Sequence, residues 1–273
     1  MNSSISTEFY KQMSKINFNV YGILDAENQI HTLGTDSKII GRIFEMFTQP
    51  VLLKIAEQFG YILETPASQT QYPDFIMMRN KTSQDKIAID VKTTYIDTDN
   101  SKIKFTLGSF GSYMRNNTKN IAYKYTDFQK HYVIGFVYKR NGSAQESYKY
   151  DYQFKDMVTF PYYDVKYFIQ EKFKIAGDKP GSGNTENIGS FATNNFNDLK
   201  DGKGPFSILG QDIFELYWRY YPKYRNKTQS DSYKSLPEFL QWLPRHINEV
   251  ELLHSFDKNT LLAKIEQYKI YIK

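Results

Sequence analysis

Cysteine is absent from the 273-residue sequence. No disulfide framework, thiolate nucleophile or thiolate metal site can be built from it. Histidine is nearly as scarce. His31, His131, His246 and His254 are the four present, none at metal-ligand spacing, so a zinc site made of imidazoles is not expected. No apolar run approaches the ~18 residues that a membrane-spanning helix needs. Met1–Met13 scatters polar residues through its apolar ones and lacks a signal-peptide core. The expectation is a soluble intracellular chain with no membrane partner.

What the chain does have is aromatic bulk. It carries 23 Tyr and 20 Phe within a hydrophobic content of 40%, enough for a sizeable core with amphipathic filling. Charged residues make up 24%, an ordinary globular value that argues against wholesale disorder. The net charge of +5, with a pI near 8.9, is compatible with a nucleic-acid partner without requiring one. There is no internal repeat and no convincing linker, so residues 1–273 read as a single domain.

Residues 39–60 set Ile39, Ile40, Ile43, Phe44 and Phe47 at helical spacing, with Pro50 interrupting and Gly60 as a stop. One kinked helix or two helices fit. Tyr61–Glu64 reads as a short strand and Thr65–Tyr72 as a loop. Pro73–Met78 and Lys86–Tyr95 read as two strands joined by a turn. In the second, Ile87, Ile89 and Val91 alternate with Ala88, Asp90 and Lys92, so the two sets face opposite sides. Lys102–Leu107, His131–Lys139 and Asp164–Ile175 are further strands, and Ser112 is placed to cap a helix. Gly177–Ser190 is rich in Gly, Ser, Asn and Asp and reads as a long loop. Asp212–Tyr221, Pro237–His246 and Thr260–Ile272 read as amphipathic helices. The predicted class is α+β, a mixed sheet of five to six strands flanked by helices, with a helical C-terminal extension.

The pattern that carries chemistry is Pro73-Asp74, fifteen residues, then Asp90-Val91-Lys92. A hard divalent cation such as Mg²⁺ takes oxygen ligands and neutralises charge on a phosphoryl group. A lysine beside it stabilises the charge that develops around an attacking water. If the two strands pair, Asp74 sits beside Asp90, and period-2 geometry puts Lys92 on the same face, roughly 6.5–7 Å along the strand. Taken alone, the pattern also describes an exposed strand face with an Asp–Lys pair, worth little to stability.

Longer strings narrow the choice. Ile87-Ala88-Ile89-Asp90-Val91-Lys92-Thr93-Thr94-Tyr95, Lys102-Ile103-Lys104-Phe105-Thr106-Leu107-Gly108 and Arg115-Asn116-Asn117-Thr118-Lys119-Asn120-Ile121 occur in that order. Ile175-Ala176-Gly177-Asp178 then leads into Gly181-Ser182-Gly183-Asn184-Thr185-Glu186-Asn187-Ile188-Gly189-Ser190. These strings resemble the EcoRV-like type II restriction endonucleases of the PD-(D/E)xK superfamily. Similar pieces run from about Tyr21 to about Tyr220. On this reading a catalytic and DNA-binding part covers about 20–221. A C-terminal helical segment with little resemblance covers about 222–273.

The resemblance implies roles. Asp74 and Asp90 are the metal ligands, Lys92 is the catalytic cation, and Glu45 is a further carboxylate and metal ligand. From the residues alone, Glu45 lies on a polar helix face with Arg42 and Gln49. The implied cofactor is Mg²⁺, with Mn²⁺ as a substitute. The loop at Gly181, Gly183, Asn184, Thr185 and Asn187 resembles a recognition loop that enters the major groove. There, glycines allow close backbone approach and an Asn amide can pair with adenine. Without the resemblance, such a stretch is simply a flexible loop. Gln69 matches a loop along the minor groove, whereas Thr70 and Gln71 depart from the family pattern. Ser37, Lys38, Thr93, Thr94, Thr106, Ser112, Asn117, Lys119 and Arg140 match positions near the DNA backbone.

The implied activity is that of a homodimeric enzyme of the bacterial cytoplasm. It would hydrolyse double-stranded DNA at the palindrome GATATC to blunt ends with 5′-phosphates. The alternatives are a non-catalytic sequence-specific DNA-binding protein and a structure-selective nuclease of the same superfamily. Binding alone does not require Asp74, Asp90 and Lys92, and structure selection does not require a base-reading loop.

Overall fold

A computed structural model describes residues 4–181, 186–222, 232–251 and 257–271. The chain opens with helix α1 (Ile5–Met13), strands β1 (Ile23–Leu24) and β2 (Gln29–Leu33), and the long helix α2 (Ser37–Phe59). Strands β3 (Ile62–Glu64), β4 (Phe75–Met78), β5 (Lys86–Tyr95), β6 (Thr106–Ser109), β7 (Phe128–Arg140), β8 (Glu146–Asp151) and β9 (Tyr162–Glu171) follow. A helical turn α3 (Lys172–Ile175) leads to β10 (Ala176–Pro180) and β11 (Asn187–Ser190). The C-terminal part holds α4 (Phe196–Lys200), α5 (Gln211–Tyr220), α6 (Leu236–His246) and α7 (Lys258–Tyr271).

Five strands form the central sheet in the order β3-β4-β5-β7-β9. All neighbours are antiparallel except β5 and β7, which run parallel, so the sheet is mixed as expected. The alternation in β5 divides the core. Ile87, Ile89 and Val91 pack with Phe9 of α1 and Ile40, Phe44 and Leu52 of α2. Ala88, one strand position away, belongs to the opposite cluster, which contains Ile213 and Trp218 of α5, Phe239 of α6 and Leu261 of α7. A strand buried on both faces holds its side chains in fixed positions, which is what a polar site built on it needs.

Helix α2 is continuous through Pro50. The proline removes one amide donor, and the buried row Ile40, Phe44, Thr48, Val51, Leu52 and Ile55 holds the helix in place. Asp36 caps its start by accepting from Lys38 and Ile39, and Gly60 ends it at a positive φ of 71°.

Several expectations need correction. Gly177–Ser190 is not one long loop: β10 and β11 pair antiparallel within it, and β11 pairs with β6. Gly177 and Gly189 serve close packing. A Cβ on Gly189 would lie 2.8 Å from the Lys179 carbonyl oxygen, and one on Gly177 would lie 3.0 Å from the Phe191 nitrogen. In Lys102–Leu107, regular pairing begins only at Thr106, with an isolated bridge from Ile103 to Thr193 before it. The strand Asp164–Ile175 gives way to a helical turn at Lys172. Ser112 caps no helix; it is buried inside a single wide turn, Phe110–Met114, that Ser109 precedes. The small sheet β1-β2-β8 and helix α1 carry no pattern that the sequence made legible.

Candidate active site

The register of β4 on β5 pairs Phe75 with Ile89 and Ile76 with Ala88. Continued by one residue, it sets Asp74 opposite Asp90. The Asp74 Oδ2 accepts the Val91 backbone N–H at 2.7 Å, which fixes this carboxylate at the end of its strand. Lys92 projects on the Asp90 side of β5, with its Nζ 2.8 Å from Asp90 Oδ2 and 3.8 Å from Asp74 Oδ2. The three side chains that sequence spacing singled out therefore meet at one point. Next to them lies a cleft of ≈ 700 Å³, lined by Ser37, Lys38, Arg42, Glu45, Gln69 and Asp74 among others.

The electrostatics are those of two carboxylates and one ammonium partly withdrawn from water. Burial, and after it the negative charge of Asp90, raise the Asp74 carboxyl to about 7. Burial would raise Asp90 too, but Lys92 and then Lys172 outweigh it and hold Asp90 below its ordinary value. Burial alone would lower Lys92, yet Asp90 and Asp74 keep its ammonium above the ordinary lysine value. The two carboxylates thus favour the charged form of the Lys92 ammonium. The Asp90 Oδ2 is buried, with the Lys92 ammonium 2.8 Å away. Two adjacent oxygen-donor carboxylates suit a hard divalent cation, which typically takes one or two carboxylates and completes its shell with water and phosphate.

Glu45 does not make this a three-carboxylate cluster. Its Oε2 lies 2.6 Å from Arg42 Nη1, and it faces the same cleft while reaching Asp74 and Lys92 only through its field. Among the described residues, no group of three or more His, Cys, Asp or Glu is arranged to hold a metal ion.

The expected DNA-facing residues divide. Ser37, Lys38 and Gln69 line the cleft, as does Gln71, which departs from the family pattern. Thr93 faces Gly41 of α2, whose Cβ would lie 3.4 Å from its Oγ1. Thr94 follows it on β5, half-buried. Thr106 on β6 stands against Gly181, and Asn187 opens β11 with its carbonyl accepting the Gly181 N–H at 2.8 Å. Lys119 and Arg140 are exposed, and the Arg140 guanidinium stacks 3.5 Å from the Tyr95 ring centre. Asn117 is half-buried, and its Oδ1 has no hydrogen-bond partner. Ser112, 5% exposed, presents no open surface to DNA; its carbonyl is taken by the Arg115 and Asn116 amides. Gly183, Asn184 and Thr185 lie outside the described residues.

Sequence reading missed Lys172. Its ammonium is buried behind the site, 3.9 Å from the Tyr72 ring centre and 3.5 Å from the Tyr113 hydroxyl. Burial lowers it to about 8, with Asp90 opposing. The only signal was a lysine in a segment read as strand, which is ordinarily a solvated position.

Sheet, flanking helices and this trio define a restriction-endonuclease fold. The sequence model of the family Restriction endonuclease EcoRV matches residues 14–244. Over 246 residues the chain is 42% identical to the type II restriction enzyme EcoRV of Escherichia coli, covering 90% of this chain and 98% of that one. The chain belongs to the EcoRV restriction endonuclease family, and its enzyme class is type II restriction endonuclease. The family match begins before Tyr21 and continues past Tyr221 to residue 244, farther than the resemblance read from the sequence. No helix among the described residues is long and apolar enough to cross a membrane.

Proposed function

We propose that the chain is a Mg²⁺-dependent endonuclease that cuts both strands of duplex DNA at GATATC, leaving blunt ends with 5′-phosphates. The observation that carries this reading is the meeting of Asp74, Asp90 and Lys92 beside the cleft, with the Lys92 ammonium within 4 Å of both carboxylates. Asp74 and Asp90 would hold the metal, and Mn²⁺ would substitute for Mg²⁺. A divalent cation bound there neutralises charge on the scissile phosphate as a Lewis acid.

The chain's own residues do the rest. Lys92, kept protonated by two carboxylates, offers a fixed positive charge to the phosphoryl oxygens as negative charge builds there. The Val91 amide orients Asp74 before DNA arrives, so the site needs little reorganisation. Water attacks phosphorus in line and releases a proton to solvent, the new P–O bond forms as the bond to the 3′-oxygen breaks, and that oxygen takes up a proton from solvent to leave as the 3′-hydroxyl. Glu45, held by Arg42, adds negative charge at the cleft wall without joining the pair.

A palindrome presents the same surface twice, which suits a two-fold dimer with one active site per strand. Exposed Ile23 and Leu24 of β1, Tyr148 of β8, and Tyr152, Phe154 and Met157 after it supply apolar surface for a second copy. The enzyme would act in the bacterial cytoplasm.

Digestion of a mapped plasmid with purified protein and Mg²⁺, followed by sequencing of the ends, tests this directly. Flush ends between the T and A at the centre of GATATC are expected. Staggered ends or cutting at unrelated sites would sink the site assignment, and no cutting at any site would sink the catalytic one.

A further inference from the structure

The hairpin β10–β11 carries the proposed recognition loop, and its two ends are tied to the C-terminal part of the chain. On the exit side, Glu186 is held at four points. Its carbonyl oxygen accepts from Phe110 N at 2.8 Å, Gly111 N at 3.3 Å and Ser109 Oγ at 3.2 Å. Its Oε1 accepts from Arg115 Nη1 at 2.9 Å. The same guanidinium donates to the carbonyl oxygens of Arg219, at 3.4 Å, and Tyr221, at the end of α5, where helix carbonyls lack intrahelical partners. It also lies 5.1 Å from the centre of the Phe110 ring. Gly111 is part of the arrangement: a Cβ there would lie 1.7 Å from Glu186 Oε2, so only glycine leaves the carboxylate its place.

On the entry side, Asp178 plays the matching part. Its carbonyl accepts the Tyr217 hydroxyl of α5 at 2.6 Å, and its Oδ2 accepts the Leu236 N–H that opens α6 at 3.0 Å. Lys179 Nζ adds a bond to the Lys234 carbonyl at 2.7 Å. The exit end of the hairpin is therefore tied to the end of α5, and the entry end to α5 and the start of α6.

A loop that reads bases must hold its donors and acceptors within about half an ångström of the productive geometry, and its supporting contacts decide whether it does. An ordinary surface ion pair is worth little. Here the carboxylate meets a guanidinium that is already held by two backbone carbonyls, so the pair acts as a joint and not as a loose contact.

We propose that Glu186 and Arg115 form a clasp that positions the recognition loop, and that this clasp determines how well the enzyme discriminates against near-cognate DNA. The proposal rests on the reading of 181–187 as the base-reading loop. It gives α5 and the start of α6 a function, as the anchorage of specificity. Neither Glu186 nor Arg115 is a catalytic residue; both act through the loop.

The test uses the full-length protein and duplexes carrying either its own cleavage site or a single-base neighbour of that site. The readout is the ratio of kcat/KM values, cognate over neighbour, at fixed salt. Glu186→Ala is expected to lower that ratio roughly tenfold, the size of effect that losing one charge-assisted hydrogen bond gives. Glu186→Gln keeps an acceptor and should lose less. Gly111→Ala evicts the same carboxylate from the other side and should reproduce the Glu186→Ala pattern. Melting temperatures are read in parallel, and Glu186→Gln carries the test if either alanine variant fails to fold. Asn184→Ala separates the two ideas. If it lowers the ratio while the Glu186 and Gly111 variants keep the wild-type value, the clasp is overturned and the recognition loop stands. If Asn184→Ala also leaves the ratio unchanged, the loop does not read bases and the clasp falls with it.

Discussion

Asp74 and Val91 are joined by a hydrogen bond from the Val91 backbone N–H to the Asp74 carboxylate, 2.7 Å long. One residue to either side of Val91 stand Asp90 and Lys92, so this bond fixes the distance between the two halves of the proposed active site. Asp74 is thereby oriented by backbone and not by a mobile side chain. The trio has little freedom to lose when DNA binds.

Asp90→Ala is expected to reduce cleavage by at least about 10²–10³-fold, the loss typical of deleting one preorganised electrostatic group. Asp90 sits in a buried polar patch beside Lys92 and not among the apolar side chains of the core, so the variant should stay folded by circular dichroism and keep the wild-type elution volume on size-exclusion chromatography. Lys92→Ala should stop cutting to a similar degree, with DNA binding, measured by fluorescence anisotropy, weakened far less. Near-wild-type cutting by either variant would remove that residue from the mechanism.

Metal dependence should follow ionic hardness and size. Mg²⁺ and Mn²⁺ are expected to support cleavage, whereas Ca²⁺ should allow binding with little or no cutting, being larger and less suited to octahedral geometry. Parallel cleavage and gel-shift assays over the three ions give the comparison. Vigorous cutting in EDTA would rule out a metal-dependent reaction.

Base readout and backbone contact are expected to fail differently. Asn184→Ala should lose about 1–3 kcal/mol of discrimination at one symmetric pair of positions. Lys119→Ala, an exposed lysine facing solvent, should weaken binding to every sequence alike and reduce the salt slope by about one unit. Cleavage of GATATC and of each single-base neighbour by both variants separates the two. Wild-type ratios from Asn184→Ala would leave the proposed site without its main support.

Glu215, on the buried face of α5, predicts a pH dependence of stability. It accepts from Gln211 Nε2 at 2.7 Å and from the Tyr125 hydroxyl at 3.2 Å, and burial raises its carboxyl to about 8. A carboxyl raised in this way binds its proton more tightly in the folded chain than in the unfolded one. Its contribution is therefore complete below the ordinary value of 4.5 and is lost as pH rises through about 8. Through this group the melting temperature should fall between about pH 5 and pH 8 and level off above that. Glu215→Gln, which keeps the shape without the proton, should remove part of that fall and melt a few degrees above wild type at pH 9. Parallel melting curves that stay equally spaced across this range would refute the assignment.

The parts of the site that lie within one strand were legible from the sequence. Alternation along Ile87–Lys92 put Asp90 and Lys92 on one face because side chains in a strand repeat every two residues whatever surrounds them. Helix α2 showed itself for the same local reason, with Gly60 as its stop. Contacts between distant segments were decided only in three dimensions. Asp74 reaches Val91 because β4 pairs with β5 in one register, and a shift of a single residue would turn it away. Gly177–Ser190 reads as loop from composition. Its residues 187–190 become strand because β6 offers its ladder from some eighty residues earlier in the chain, and strand propensity yields to such pairing. Glu45 is expected from the resemblance as a further carboxylate, and the structure places it on the cleft wall, paired with Arg42 one helical turn before it. Lys172 becomes a buried cation behind Asp90 because the turn after β9 folds its side chain under Tyr72, a placement no local pattern encodes.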